Sequence, residues 1–282
     1  YSDLPRRWPG EIAAKRRKMK ATVLVDNIGT EALCGEWGLS IYIEHSGHTL
    51  LLDTGASALF AENADALGLE LGKVEYGVLS HAHYDHADGM SAFFEKNAAA
   101  RFYLREEAGE TCLGYNGETL DYIGIRPGTL QANAARIVYV KGLYSLYPGA
   151  FLLGHTTPGL AALGERAGMY VQNGSDRLPD DFSHEQTLVL ETDTELAVFS
   201  SCSHGGVENI LREVREAFPG KRIRALIGGF HLYETPEDEV RALAANLRRD
   251  GVETVVTGHC TGQLAFELLR EELGDRVRQK LK

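Results

Sequence analysis

A chain of 282 residues, 44% hydrophobic and 24% charged, is long enough for one large α/β domain and has the make-up of a folded globular protein. Its net charge of -11 is unevenly spread: of 29 basic and 40 acidic side chains, six and two lie in residues 1–18, which leaves 23 and 38 beyond them, a net of -15. So acidic a body repels a nucleic-acid backbone, and no apolar run approaches the ~18 residues of a membrane span, so neither nucleic acid nor membrane is expected as a partner.

Residues 1–18 lack the apolar stretch of a secretory signal. The first strand-like run starts right after Met19, so Met19 reads as the natural start and the basic tail as disordered, upstream or appended sequence; a targeting arm is the rival reading. Cys34, Cys112, Cys202 and Cys260 have no paired spacing and read as reduced thiols of a cytoplasmic protein. Apolar alternation then predicts strands over 20–26, 39–45 and 48–53, with Gly47 turning the chain between the last two. His45 and His48 flank that turn and should face solvent. A helix over 57–67, a buried strand over 74–80 and a helix from Asp88 through Phe94 follow. The segment from about 105 to 182 is rich in Gly and Tyr and weakly periodic, and reads as an irregular insertion that covers a site. Beyond it, strands fit 186–192, 195–200, 223–228 and 252–257. Helices fit 207–218, 236–249 and 263–273, the second with Thr235 as N-cap and Pro236 in first position. Strands alternating with helices, with no linker and no repeat, predict an α/β layered architecture and one domain over 19–282.

Three of the ten histidines fall within six residues, in His81-Ala82-His83-Tyr84-Asp85-His86, after an apolar strand and before a helix entry. Neutral imidazole is the commonest metal ligand, and carboxylate completes a hard, hydrolytic site. In an extended stretch His81 and His83 project to one side and can grip one ion. A bend after them would turn Asp85 and His86 to a second. Asp53 ends the strand 48–53 and could accept the remaining N–H of a ligand histidine, fixing its tautomer; a turn cap is the plainer reading. His231 follows Gly228-Gly229, where it is either a substrate contact and proton donor or a capped strand-end histidine. His204 has the same two readings. His155, beside Thr156-Thr157-Pro158-Gly159, reads as a turn histidine, with a place in the pocket lining as the rival reading. Neither glycine pair, 205–206 or 228–229, has dinucleotide-binding spacing, and no Gly-x-Ser-x-Gly elbow is present.

His81, His83, Asp85 and His86 match the H-x-H-x-D-H signature of the metallo-β-lactamase fold superfamily, which the chain resembles over most of residues 20–275. The stretches Leu52-Asp53-Thr54-Gly55, His184-Glu185-Gln186, Ser201-Cys202-Ser203-His204-Gly205-Gly206, Gly228-Gly229-Phe230-His231-Leu232 and Gly258-His259-Cys260-Thr261-Gly262 are similar to its dihydropterin-methyl-ribofuranosylaminobenzene-phosphate synthase-like branch. The resemblance implies a four-layer αβ/βα sandwich and two divalent ions, zinc first, with iron or manganese as alternatives. It implies His81, His83 and His184 on one ion, and Asp85, His86 and His259 on the other. Where the superfamily places a bridging Asp, this chain has Cys202, which either spans the ions as a softer thiolate or is a spectator, with His204 or a water in its place. Cys34, Cys112 and Cys260 default to packing, with Cys260 turned away from the metals.

The implied activity is hydrolysis of a phosphate ester, or a related ester, thioester or lactone, of a small molecule with a pterin-like part, by hydroxide generated between two ions. Asp85 would orient the hydroxide, and His231 or His204 would contact substrate or leaving group. Redox chemistry at a di-iron pair and a non-catalytic small-molecule sensor are the competing readings. Metal analysis with spectra would separate the first, and failure on a broad ester panel would favour the second.

Overall fold

A computed structural model describes residues 18–279, so the expectation about the basic tail lies outside the described residues. Two sheets form its centre. One has six strands in the order Met19–Val25, Ser40–His45, His48–Leu52, Tyr76–Val78, Arg101–Arg105 and Ile137–Val140. Its first three strands pair antiparallel and the rest parallel. The other has seven, ordered Val277–Gln279, Thr254–Thr257, Arg222–Gly228, Glu195–Ser200, Gln186–Thr192, Ala150–Gly154 and Leu143–Tyr147. There the first four are parallel and the remainder antiparallel.

Side chains on a strand alternate between faces, and here both faces are buried. Leu50 and Leu52 point between the sheets, where they meet Leu188, Leu190, Ala197 and Phe199. Leu51 points outward to Phe60, Ala64, Met90 and Phe93 on the helices Leu59–Ala66 and Met90–Lys96. In the second sheet Val189, Leu196 and Val198 point outward to Ile210, Leu211, Val214, Val240, Leu243 and Leu269. Those residues belong to the helices Val207–Ala217, Glu237–Arg249 and Gln263–Leu273. The result is helix on sheet on sheet on helix, the four-layer αβ/βα sandwich. Truncating a central side chain such as Leu190 to Ala should cost about 2–5 kcal/mol.

Residues 105–182 differ from expectation. The segment is not irregular: Ile137–Val140 completes the first sheet, and Leu143–Tyr147 and Ala150–Gly154 complete the second. Segments before and after them form a small antiparallel sheet, ordered Asp176–Pro179, Met169–Asn173, Cys112–Asn116 and Thr119–Tyr122. Its strands are only four or five residues long, and it leaves Tyr115, Tyr122 and Leu178 exposed, so the inside–outside alternation that marks a strand is weak. The chain just past its strand Thr119–Tyr122 lies along the loop that holds His81 to His86: His83 bridges to Gly124, Tyr84 N–H donates to Ile123 O, and Arg126 N–H donates to Asp88 Oδ1. Two smaller expectations are also corrected. His45 is buried, between Tyr147 Oη at 3.0 Å and Glu191 O at 2.7 Å. Pro236, not Thr235, sits at the N-cap of Glu237–Arg249, with no side-chain cap.

The strands Met19–Val25, His48–Leu52 and Tyr76–Val78 run the same way, as do Glu195–Ser200, Arg222–Gly228 and Thr254–Thr257. Residues just past these strands are Asp26, Asp53, His81, Cys202, His231 and His259. Ligand sites of open α/β sheets form outside such carboxyl ends.

Candidate metal centre

The chain bends at His81 and Ala82, His83 is extended and bridges to Gly124, and the short helix Tyr84–Ala87 then turns the chain. Asp85 and His86 therefore leave the loop in a different direction from the two histidines before them. His86 Nε2 stands 3.1 Å from His259 Nε2, 3.2 Å from Cys202 Sγ and 3.6 Å from Asp85 Oδ2. His259 Nε2 is 3.3 Å from Asp85 Oδ2. Ligands spaced around one tetrahedral ion at about 2.0–2.3 Å lie roughly 3.3–3.8 Å apart, which these separations approach.

The outer nitrogens decide what the inner ones can do. His86 Nδ1 donates to Asp53 Oδ2 at 2.8 Å. Asn27 Oδ1 already accepts from Gly38 N–H, so it is an acceptor, and His259 Nδ1 must donate to it at 2.9 Å. Ser80 Oγ donates to Asp53 Oδ2 at 2.7 Å, so it accepts from His81 Nδ1 at 2.8 Å. All three Nε2 atoms are thus left to face inward as lone pairs. Such a set demands positive charge at its centre. A proton can supply it: burial lowers the His86 pKa, but Asp85 and Asp53 outweigh burial and raise it. A divalent cation supplies twice as much and satisfies every donor at once.

A second group adjoins the first. His81, His83 and His204 bring ligand nitrogens within 4.8 Å of one another. His81 Nε2, His83 Nε2 and both nitrogens of His204 are buried with no hydrogen-bond partner. Burial, then the neighbouring imidazoles, pushes the His81 and His204 pKa values well down, so both rings are neutral and able to bind a cation. Cys202 Sγ reaches both groups, lying within 4.8 Å of ligand atoms on His81 and His86 and, separately, on His259 and Cys260.

The sequence reading put His184 with His81 and His83. The structure puts His204 there. His184 lies beside the group, within reach of His83, Cys112 and Asp180. Its Nδ1 accepts Ala82 N–H at 3.1 Å, so the ring proton is on Nε2, which donates to Asp180 Oδ2 at 2.9 Å with Cys112 Sγ at 3.7 Å. Neither nitrogen is free as the ring stands. Cys260 also departs from expectation: its Sγ is 3.4 Å from Cys202 Sγ and accepts His231 N–H at 3.3 Å. The glycines 228–229 serve this packing. A methyl on Gly228 would collide with Ser200 O, and one on Gly229 with Cys260 Sγ.

His231 lies at the edge of the centre, its ring 4.4 Å from His204 and 5.0 Å from Tyr233, with a buried Nδ1 that has no partner. Trp37, 48% exposed, stands 5.3 Å from the His259 ring and edge-on to Tyr233, also 48% exposed. Asp53, Ser203, His231 and His259 all hold left-handed backbone, at φ 60, 59, 48 and 49. Strain of this kind persists where surrounding bonds over-determine it. Asp26, Asn27, Ser80 and Trp37 were missed in the sequence. Asp26-Asn27 carried the same signal as Asp53, a polar residue just past an apolar strand. Ser80 carried only its place beside His81.

This is the architecture and ligand cluster of a metal-binding α/β sandwich protein. The model of the metallo-beta-lactamase superfamily matches residues 38–259, and the chain belongs to that superfamily, whose members are mostly metal-dependent hydrolases. It is 26% identical over 251 residues to the 7,8-dihydropterin-6-methyl-4-(beta-D-ribofuranosyl)-aminobenzene-5'-phosphate synthase of Methanocaldococcus jannaschii, covering 83% of this chain and 84% of that protein. An uncharacterized protein of the same archaeon is 22% identical over 256 residues, with 88% and 93% covered. Among solved structures, Tm1679, a metal-dependent hydrolase of the beta-lactamase superfamily, superposes with a TM-score of 0.80 at 31% identity, covering 94% of this chain and 96% of that one. YhfI of Bacillus subtilis, at TM-score 0.56 and 11% identity, shares the fold. No described helix is long and apolar enough to cross a membrane.

Proposed function

We propose that this chain is a hydrolase that uses two divalent cations, zinc before iron or manganese, on a phosphate ester or related ester of a small molecule with a planar, pterin-like ring. The observation that carries the reading is the convergence of the tautomer-fixed Nε2 atoms of His86 and His259 with Asp85 and Cys202, beside a second group, His81, His83 and His204, whose inward nitrogens are buried without a partner. His81, His83 and His204 would hold one ion; Asp85, His86 and His259 the other; Cys202 would serve both. Bound there, the ions would acidify a water at neutral pH and neutralise charge developing on a phosphoryl or carbonyl oxygen.

The chain's own residues supply the rest. Asp85 is buried, yet His86 and His259 outweigh that burial and hold its carboxyl well below the usual range, so it stays an acceptor able to orient water. Asp53 keeps His86 and, through Ser80, His81 in the one tautomer that can bind a cation. His231 has a free nitrogen at the rim and is placed to donate to a leaving group. Trp37 and Tyr233 offer a half-exposed aromatic wall on which a planar ring can lie. The name of the archaeal relative concerns a dihydropterin and an aryl ribosyl phosphate, which suits that wall; the same name says synthase, so bond formation is the companion outcome to test.

The test is metal content and turnover on one preparation. Two ions per chain, and hydrolysis of aryl or pterin phosphoesters lost on chelation and restored by zinc, are expected. A metal-replete protein inert across phosphoesters, esters, thioesters and lactones would sink the proposal. The sulfur pair Cys202 and Cys260 is the observation that favours a di-iron redox alternative, marked by a visible iron–thiolate band.

A further inference from the structure

The loop Ser201–Gly206 carries two of the ligand residues but is held at its two ends by unlike means. Its first half is tied to the second sheet. Ser203 Oγ donates to Gly229 O at 2.8 Å, and Gly229 N–H to Ser201 O at 2.7 Å. Cys202 is fixed by that lacing. His204 is not, and no hydrogen bond orients its ring. Its backbone is what is gripped. His204 N–H and Gly205 N–H both donate to the buried Glu185 carboxylate, at 2.9 and 2.8 Å.

Glu185 is in turn anchored by a buried chain of charge. His155 Nε2 lies 2.7 Å from Glu185 Oε2, and His155 Nδ1 2.9 Å from Glu213 Oε2. With a carboxylate on each nitrogen, both nitrogens donate and the ring is an imidazolium. Glu213 Oε1 closes the chain on Thr156 N–H and Thr157 N–H, each at 2.8 Å. A methyl on Gly205 would strike the His155 ring, so Gly205 lets the loop lie flat against it. Three segments distant in sequence meet here: residues 155–157, Glu185, and the loop with the helix Val207–Ala217 that continues it. A buried ion pair is weak evidence for net stability, so positioning is the more economical account of it.

We infer that Glu185, braced by His155 and Glu213, is a positioning residue for one metal position only: it sets His204 against His81 and His83 through the backbone, and leaves the Asp85, His86, His259 and Cys202 position to its own supports. This rests on the two-ion reading above. The test is metal stoichiometry by native mass spectrometry on Glu185→Gln and wild type, with the optical spectrum of the cobalt-substituted proteins. Glu185→Gln should carry one ion where wild type carries two. Its affinity for the missing ion should fall about 10–100-fold, the usual effect of losing a residue behind a ligand. The thiolate-to-cobalt band of Cys202 should persist. Leu190→Val, destabilised in the core, should keep both ions, which separates positioning from loss of stability. Two ions at wild-type affinity in Glu185→Gln, or loss of the thiolate band with the other ion kept, overturns the inference alone. A wild type without divalent ions overturns the functional reading itself. Should Glu185→Gln not fold, His155→Gln keeps the carboxylate and removes its anchor; full affinity for both ions there has the same overturning force.

Discussion

The two ligand groups are built differently. Around Asp85, His86 and His259, each imidazole is fixed through its own outer nitrogen, by Asp53 or Asn27, residues that end strands of the first sheet. Around His81, His83 and His204, the ring of His204 has no such tie, and its place depends on backbone hydrogen bonds to a distant charged relay. One metal position is thus organised by the side chains next to it, and the other by how accurately a loop from the second sheet is docked. The first should therefore tolerate changes in the relay of Glu185, His155 and Glu213 better than the second does.

The harshest way to break the comparison is to remove a ligand from the better-organised group. His86→Ala takes away a ring that faces Cys202, His259 and Asp85 together. Turnover should fall by roughly 10³-fold, as when a group that stabilises developing charge is lost, with metal content falling alongside and the circular dichroism unchanged. Full activity in that variant would remove this group from the chemistry. A milder break is Asp53→Asn. Asp53 accepts Ser80 N–H, Ser80 Oγ–H and His86 Nδ1–H, and an amide can accept only on one side. Chelator competition should give an affinity about 10–100-fold weaker, mainly at the His86 position.

His184→Gln probes the other group. Because its ring is engaged by Ala82 N–H and Asp180, the variant should keep both ions and lose about 1–3 kcal/mol in urea denaturation, the cost of leaving buried partners unsatisfied. Loss of an ion would return His184 to the ligand set.

The His184 and His204 pair also marks the limit of what the sequence makes legible. The strands and helices of the two central sheets follow from period-two and 3.6-residue patterns, since both faces of each strand are buried and alternation or continuous apolarity is strong. The loop His81 to His86 is legible because its ligands are close in sequence. Which later histidine joins it is not, since that depends on where a loop after a different strand docks. The proton on His184 is set by a backbone N–H 3.1 Å away in space and 102 residues away in sequence. Cys260 was misread for a related reason: it lies in a short 3-10 turn, His259–Thr261, not in an extended stretch, so adjacent side chains do not point to opposite sides. The small sheet within 105–182 was missed because half of it faces solvent and its strands are short.

The smallest expected effect lies in the relay behind His204. Burial opposes charge on His155, but the hydrogen bonds to Glu185 and Glu213 outweigh it and push its pKa up from 6.5 to about 9. Burial likewise opposes the Glu213 charge, and His155 and Thr157 outweigh it, bringing it down from 4.5 to about 2. A group whose pKa is raised on folding contributes stability that is complete below its unfolded value and lost as pH climbs through the folded one. His155 therefore contributes fully below pH 6.5 and loses that contribution on the way to about 9. Glu213 contributes above pH 4.5 and loses its share as pH falls toward 2. Between 4.5 and 6.5 both are in place, and the relay should be at its firmest there. The urea midpoint of wild type should decline from pH 6.5 to 9 more steeply than that of His155→Gln, with Glu185 and Glu213 left facing each other once the proton is gone. Measured on both proteins freed of metal by chelation, the difference between the two slopes isolates the relay from the metal ligands, whose own protons are then common to both. Parallel slopes would mean that His155 is neutral in the folded protein and that Glu185 is held by hydrogen bonding alone.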